Sequence, residues 1–156
     1  MIEENTDKAQ EFTTGLSKVY RYVLEQKNKE LVSLAEELAF AKTYMSLLKM
    51  RFEDSLQFES PELSLDNESK VVPLSLQLLL ENAVKHNVVN SIKPLKITIT
   101  EKNGELIIEN NLQPKKILEQ SSGFGLSNIT QRYQLLTNKK VQVFKNESLF
   151  RVSIPI

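Results

Sequence analysis

The sequence contains no cysteine and only one histidine among its 156 residues. Without cysteine there is no disulfide framework, no thiol nucleophile and no thiolate zinc site, and one histidine cannot form a three-histidine zinc site. Four glycines and five prolines leave no low-complexity tract. The residues that are present fit a globular domain, because 40% are hydrophobic and 26% are charged, which supplies both a core and a soluble surface.

The charges of the chain cancel, since 20 basic side chains balance 20 acidic ones. This balance gives no basic surface of the kind that binds nucleic acid, and the lysine pairs Lys115-Lys116 and Lys139-Lys140 are interpreted as solvated turns. No apolar run approaches the roughly 20 residues that cross a bilayer. The first residues lack the basic and apolar regions of a secretory signal. We therefore expect a soluble chain without direct nucleic-acid or membrane contacts.

Two long helices are predicted at the start of the chain. Apolar residues recur every three or four positions over residues 6–27, and a second apolar stripe runs through Leu34–Phe52, as in amphipathic helices. Ser33 and Glu36 have the spacing of a capping box at the start of the second helix. The partner of each stripe could be the other helix, a second copy of the chain or the domain that follows.

Strands and helices mix after residue 54. Asn103-Gly104, between two alternating segments, is a strong signal for a β-hairpin. The predicted class is α+β, with a mixed, mostly antiparallel sheet covered by helices on one face. We divide the chain into a helical region, residues 1–54, and a second domain, residues 55–156. The elements predicted in the second domain are strands at 56–59, 95–101, 105–109, 140–145 and 148–154, a helix from 74 to about 89, and a helix that follows residues 123–126 and ends at about 136.

The densest polar cluster lies inside the predicted helix at 74–89. Asn82, Lys85 and His86 fall at i, i+3 and i+4 and therefore share one face. An amide oxygen can bind Mg²⁺, an ammonium group can bind phosphate, and the neighbouring carboxylate of Glu81 can accept a proton. The alternative is ordinary surface chemistry, because Glu81 and Lys85 also form a common i, i+4 pair and a lone histidine is often packed or solvated.

Two further segments have polar or flexible residues at the ends of elements. Gly123 and Gly125 precede a periodic segment, so they could open a helix whose free N–H groups hold an anion, or simply form a permissive junction. Asn110 and Asn111 follow a buried-looking strand. They could close a turn, or, facing a pocket, they could bind the edge of a base.

The order of these segments is more specific than any one of them. A Glu-Asn-Ala-x-Lys-His helix, a hairpin ending in Asn-Asn, a polar span and Gly-x-Gly-Leu before a helix together resemble the ATP-binding domain of the GHKL superfamily. Residues 72–87 (VPLSLQLLLENAVKHN), 44–52 (YMSLLKMRF) and 125–133 (GLSNITQRY) are similar to the LytS-like sensor histidine kinases. This resemblance covers nearly the whole chain and implies a two-layer α/β sandwich preceded by two long helices.

The resemblance also implies roles for individual residues. Glu81 would assist phosphoryl transfer, Asn82 would bind the Mg²⁺ that bridges the phosphates of ATP, and Lys85 would contact phosphate as a second catalytic residue. A short lid over ATP would span residues 113–122. The nucleotide-binding residues implied by the resemblance are Asn82, Lys85, His86, Asn87, Asn110, Asn111, Gly123, Gly125 and Leu126.

The sequence departs from the family at two places. The family has an aspartate that recognises the adenine amino group, followed shortly by glycine, whereas this chain has Asn110-Asn111-Leu112; we expect weaker nucleotide affinity. The Asn-Pro-His-Phe motif that carries the phosphoacceptor histidine is also absent. We therefore expect a fragment that cannot phosphorylate itself and donates a phosphoryl group only in trans.

The resemblance implies partners and a location as well. The helical region would form a homodimer, a LytTR-type response regulator would receive the phosphoryl group, and the parent protein would lie at the inner membrane with this region in the cytoplasm. Two other functions stay open from the sequence: a degenerate GHKL module for dimerisation or regulation, and a GHKL ATPase of the chaperone or gyrase type.

Overall fold

The computed structural model describes residues 2–26, 29–63, 67–115 and 124–156. A 3-10 turn, Glu53–Ser55, separates the second helix from the second strand. The helices and strands in chain order are α1 (Ile2–Gln26), β1 (Val32–Ser33), α2 (Leu34–Phe52), β2 (Leu56–Glu59), β3 (Lys70–Val71), α3 (Ser75–His86), β4 (Leu95–Lys102), β5 (Glu105–Asn111), α4 (Phe124–Thr137), β6 (Gln142–Lys145) and β7 (Leu149–Pro155).

The main sheet has five strands in the order β2-β4-β5-β7-β6. β2 runs parallel to β4, and the other neighbouring pairs are antiparallel. The hairpin between β4 and β5 turns at Asn103 and Gly104, whose φ angles are 54° and 75°, values that asparagine and glycine adopt at low cost. The predicted mixed class with a mostly antiparallel sheet is confirmed.

One face of the sheet is covered by helices. β4 buries Leu95, Ile97 and Ile99, every second residue, as the two-residue period of a strand requires. These side chains belong to one core with Leu76 and Leu80 of α3. The intervening residues of the strands carry polar and charged groups. Ion pairs join Lys96 to Glu59 at 3.5 Å and Arg151 to Glu109 at 2.8 Å.

α2 packs into the same core as the strands. Its predicted cap is confirmed, because the Glu36 backbone N–H donates to the Ser33 hydroxyl oxygen at 3.1 Å. The helix buries Leu34, Leu38, Phe40, Ala41 and Met45. The division of the chain at residue 54 stays a prediction, although α2 and the sheet share this apolar interior.

α1 packs against α2 and contributes little to that core. A Cβ added at Gly15 would lie 2.7 Å from Cδ2 of Leu47, so the missing side chain lets the two helices approach closely. Val19 of α1 is buried, whereas Tyr20 and Leu24 are exposed by 63% and 72%. Among the helices that the structure describes, none is long and apolar enough to cross a bilayer.

Two predicted element ends differ from the structure, and one small sheet was not predicted. The helix predicted at 74–89 ends at His86, and the strand predicted to end at 109 continues through Asn111, because both ends are fixed by contacts with distant residues. A two-stranded antiparallel sheet pairs Val32 with Val71 and Ser33 with Lys70. The sequence did not predict this sheet, since two residues carry no detectable period.

Candidate functional site

α3 positions the polar cluster that the sequence singled out. The helix buries Leu76, Leu79, Leu80 and Ala83 against the core. On the remaining surface, Asn82 and His86 are half-buried and Lys85 is exposed. A helix places residues at i, i+3 and i+4 on one side, so these three side chains share a face that is open to a ligand.

Glu81 lies on α3 at its boundary with α2. The pKa of Tyr44 on α2 is raised to about 12, first by burial and second by the negative charge of Glu81. Glu81 itself is exposed. The charge of Glu81 therefore acts on a residue of the YMSLLKMRF segment, which relates two of the three segments that carry the family resemblance.

Asn110 lies near the end of β5 and is only 4% exposed. It pairs with Ile97 of β4 and Phe150 of β7. Its side-chain Nδ2 donates to the Asn111 carbonyl oxygen at 2.9 Å. Within the part of the chain that the structure describes, no hydrogen bond or ion pair joins Asn110 to Asn82 or Lys85. Asn110 is therefore brought to the end of the sheet, but not into direct contact with α3.

Asn111 fastens β5 to the segment that precedes β4. Its Oδ1 accepts from the Lys96 N–H at 2.7 Å, and its Nδ2 donates to the Pro94 carbonyl at 3.1 Å. The same Nδ2 also lies 3.3 Å from Oε1 of Gln113. These bonds satisfy the amide with groups of the protein itself. Asn110 and Asn111 do not close a turn, which was one interpretation of the sequence, because both residues belong to β5.

Asn87 joins the end of α3 to the segment after β5. Its Nδ2 donates to the Ala83 carbonyl, and its Oδ1 accepts from the Gln113 N–H, both at 2.8 Å. The Val88 N–H donates to the Gln113 carbonyl at 2.8 Å, and the Lys115 N–H donates to the His86 carbonyl at 3.2 Å. Asn87, which the resemblance placed among the nucleotide-binding residues, thus has a structural task at this position.

We expect Asn87→Ala to destabilise the fold by about 2 kcal/mol, because it removes the side-chain partner of the buried Ala83 carbonyl and of the half-buried Gln113 N–H. Urea unfolding followed by circular dichroism measures this loss. Asn128→Ala is the matched control, since the Asn128 side chain is exposed on α4 and its loss should change the unfolding free energy by less than about 0.5 kcal/mol. Equal stability of the two variants would contradict a structural role for Asn87.

The glycine segment is only partly described. The backbone of Gly125 lies in the first turn of α4, and Leu126 is half-buried against the core. Gly123 and residues 116–122 of the expected lid lie outside the described residues. Gln113 and Lys115, at the start of that span, are held to the end of α3 by the bonds given above.

Glu37 is a polar residue of the interior that the sequence reading missed. It lies on α2 with no exposed surface, and the Tyr22 hydroxyl of α1 donates to its Oε2. Burial raises the pKa of Glu37 to about 7, against opposing effects of Tyr22 and of the backbone N–H groups of Leu76, Leu74 and Ser75. A signal was present, because Glu37 falls on the apolar stripe three residues after Leu34.

The donor set around α3 fits a cation that is held mainly by a ligand's phosphates. Among the described residues, no group of three or more histidine, cysteine, aspartate or glutamate side chains could hold a metal ion by itself. Mg²⁺ in nucleotide sites takes one or two protein oxygens and completes its shell with phosphates and water. Asn82 can supply one such oxygen, so the residues present fit Mg²⁺ bound together with a nucleotide.

Comparison with known proteins finds sequences similar to this chain. A family model for histidine kinases matches residues 1–56. The sensor protein LytS of Streptococcus agalactiae serotype V is 35% identical over 86 residues, which are 55% of this chain and 15% of that protein. An uncharacterised sensor-like histidine kinase of Staphylococcus epidermidis is 32% identical over 119 residues, 76% of this chain and 21% of that protein. The resemblance to LytS-like sensor histidine kinases is confirmed.

Solved structures show the same fold. The catalytic domain of histidine kinase ThkA, in a nucleotide-free form, matches with a TM-score of 0.51 and 19% identity, covering 80% of this chain and 93% of that one. The cytoplasmic segment of histidine kinase QseC matches with a TM-score of 0.52 and 15% identity, covering 81% and 78%. At these identities the likeness concerns the fold alone. The chain spans only 15% to 21% of the length of the LytS-like relatives named above.

Proposed function

We propose that this chain is the ATP-binding catalytic part of a sensor histidine kinase, which donates the γ-phosphoryl group of ATP to a histidine. The observation that carries the proposal is the outward face of α3, where Asn82, Lys85 and His86 stand together on a fold like that of histidine kinase catalytic domains. LytS-like relatives support the kinase class. The chemistry asked of the site is positioning and charge neutralisation.

The residues of α3 divide this work by their chemistry. The Asn82 amide oxygen would bind Mg²⁺, and the exposed Lys85 ammonium would contact phosphate, with His86 beside it. Glu81 would take the proton that the accepting histidine releases. Mg²⁺, when bound, supplies positive charge against the phosphates. Asn110, at the end of β5, would accept a hydrogen bond from the adenine amino group, with less affinity than an aspartate gives.

The accepting histidine must come from outside these 156 residues. The one histidine of the chain, His86, lies at the end of α3 and is assigned to the nucleotide. We propose that α1 and α2 contribute to a homodimer, that a LytTR-type response regulator takes the phosphoryl group from the acceptor histidine, and that this region works on the cytoplasmic side of a membrane-bound parent.

A second function, a degenerate module for dimerisation or regulation, is favoured by one group of observations. Asn110 replaces the expected aspartate. The side-chain amides of Asn87 and Asn111 form hydrogen bonds within the protein. Such a module would retain the fold without binding ATP. A thermal unfolding scan with and without Mg-ATP separates the two functions, because a ligand that binds the native state raises the unfolding temperature.

The kinase function is tested by transfer in trans. The chain is incubated with γ-labelled Mg-ATP and a separately prepared helix of a LytS-like kinase that carries the Asn-Pro-His-Phe motif. We expect an acid-labile label on that helix, and a raised unfolding temperature with Mg-ATP. A helix with histidine replaced by alanine is the control. If Mg-ATP causes no thermal shift and the helix carries no label, the result favours the degenerate module.

A further inference from the structure

Glu37 lies beside the start of α3, the helix that carries the proposed nucleotide site. The backbone N–H groups of Leu74, Ser75 and Leu76 are close enough to lower the pKa of its carboxyl group, although Oε1 makes no hydrogen bond of standard geometry within the described chain. The N–H groups in the first turn of a helix carry partial positive charge, which favours an anion there. The Glu37 carboxylate is therefore an anion from α2 at the N-terminus of α3.

Tyr22 connects this carboxylate to α1. Its hydroxyl donates to Glu37, and its ring stacks on Phe40 of α2 with centroids 4.3 Å apart. Phe40 in turn stacks on Tyr44 at 6.3 Å, and Tyr44 senses the charge of Glu81 on α3. Tyr22 of α1 is thus connected to the start of α3 through Glu37, and through two stacked rings to Tyr44, on which the charge of Glu81 acts.

A further group closes the cluster from α4. Tyr133 has no exposed surface, and its hydroxyl oxygen accepts from the Val72 N–H at 3.1 Å, one turn before α3. Arg132 of α4 donates to the Pro73 carbonyl at 3.4 Å. The segment before α3 is therefore held from α4 while Glu37 approaches from α2, which leaves the position of α3 sensitive to both neighbours.

We propose that Glu37 and Tyr22 are positioning residues for α3, so that the placement of α1 sets how well Asn82 and Lys85 meet the phosphates. This inference rests on the proposed function of α3. It follows from the contacts that the ionised carboxylate is the effective form, because a charge stabilises the helix start more than a neutral acid does. The Tyr22 hydrogen bond stabilises the ionised form.

The pH dependence follows from the groups around Glu37. Titratable and charged groups from all four helices act on Glu37 or on its partners. They are Tyr22 of α1, Glu36 of α2 (which acts on Tyr22), Tyr133 and Arg132 of α4, and the backbone N–H groups at the start of α3. Because the pKa of Glu37 is about 7, the fraction of chains with an ionised Glu37, the form that positions α3, rises between pH 6 and pH 8. Tyr22→Phe keeps the ring but removes the hydrogen bond, so it moves this transition to higher pH. Glu37→Gln removes the transition.

The test measures Mg-ATP affinity by calorimetry at pH 6, 7 and 8, and hydrogen exchange of α3 amides at the same pH values. The variants are Tyr22→Phe, Glu37→Gln and the double change, with Tyr20→Phe and Glu11→Gln as controls at exposed positions of α1. At pH 8 we expect Glu37→Gln to bind Mg-ATP about fivefold more weakly than the native chain, a factor typical of one helix cap. We also expect the amides of the first turn of α3 to exchange faster relative to the later amides of that helix, which report the global stability. At pH 6 the variant and the native chain should match.

The double variant should equal Glu37→Gln, because both changes act through one contact. The inference is overturned if the α3 exchange and the affinity of both variants match those of the controls, or if the two changes add. If the native chain binds no Mg-ATP at any pH, the proposed function fails. The exchange of α3 then still decides the positioning, since it needs no ligand.

Discussion

Asn82→Ala removes Mg²⁺-dependent ATP binding and, with it, phosphoryl transfer to a separate acceptor helix. The side chain is half-buried on the outward side of α3, and alanine there leaves the buried face of the helix unchanged. We expect the affinity for Mg-ATP to fall by about 100-fold or more, since even the outer partners of metal ligands are worth about 10- to 100-fold.

Two companion variants separate lost ligation from lost structure. Asn82→Asp keeps an oxygen for Mg²⁺ and should retain most of the binding. Gln77→Ala changes another polar residue of α3, one that precedes the proposed site by more than a turn, and should bind as the native chain does. If Asn82→Ala folds, as judged by its circular dichroism, and still binds Mg-ATP with native affinity, Asn82 is not the cation ligand.

The second large effect concerns stability. The pKa of Glu37 rises from 4.5 to about 7 on folding, so the unfolded chain releases this proton at a lower pH than the folded chain. Stability from this group is fully present below about pH 4.5 and is lost as pH rises to about 7. At roughly 1.4 kcal/mol for each pH unit, the loss is about 3 kcal/mol. We expect Glu37→Gln to be more stable than the native chain at pH 8.

Urea unfolding between pH 4.5 and 8 checks this expectation. The difference between the native chain and Glu37→Gln should change by about 3 kcal/mol over that range, whereas the exposed control Glu11→Gln should follow the native chain. Taking differences removes the contribution of other carboxylates that both proteins share. A difference that stays constant with pH would show that Glu37 does not titrate as a buried group.

Glu37 is expected to lower the stability of the fold and to raise its affinity for nucleotide. A buried carboxylate that is ionised at pH 8 lowers the stability of the fold, and its place at the start of α3 is where we infer that it positions the proposed site. A residue that reduces stability while serving a binding site is a known trade-off in proteins. We therefore expect the single variant Glu37→Gln to be more stable than the native chain and to bind nucleotide more weakly.

Local signals explain which parts of the fold could be read from the sequence. α2 was predicted at its observed bounds because a cap at Ser33 and a long apolar stripe lie within the helix itself. The hairpin at Asn103-Gly104 is equally local. The end of α3 was missed because Asn87 leaves the helix to bond with Gln113, 26 residues away. β1 and β3 were missed because their pairing also depends on contacts across the chain.

In the candidate site too, local features could be predicted from the sequence, whereas contacts between distant residues could not. The shared face of Asn82, Lys85 and His86 follows from helical spacing alone, and α3 places them as predicted. The bonds that occupy Asn87 and Asn111 could not be read from the sequence, because their partners, Gln113 and Pro94, come near only when the sheet forms. Glu37 stood on an apolar stripe, but only the packing of α3 against α2 shows what its charge faces.

The central claim, that this LytS-like chain binds ATP as the donor of a phosphoryl group, is tested most directly by calorimetric titration of the native chain with Mg-ATP. We expect saturable binding with one site per chain, loss of that binding when Mg²⁺ is removed by a chelator, and loss in Asn82→Ala. A titration of the folded native chain that shows no heat of binding at pH 8, together with no thermal shift, would contradict it.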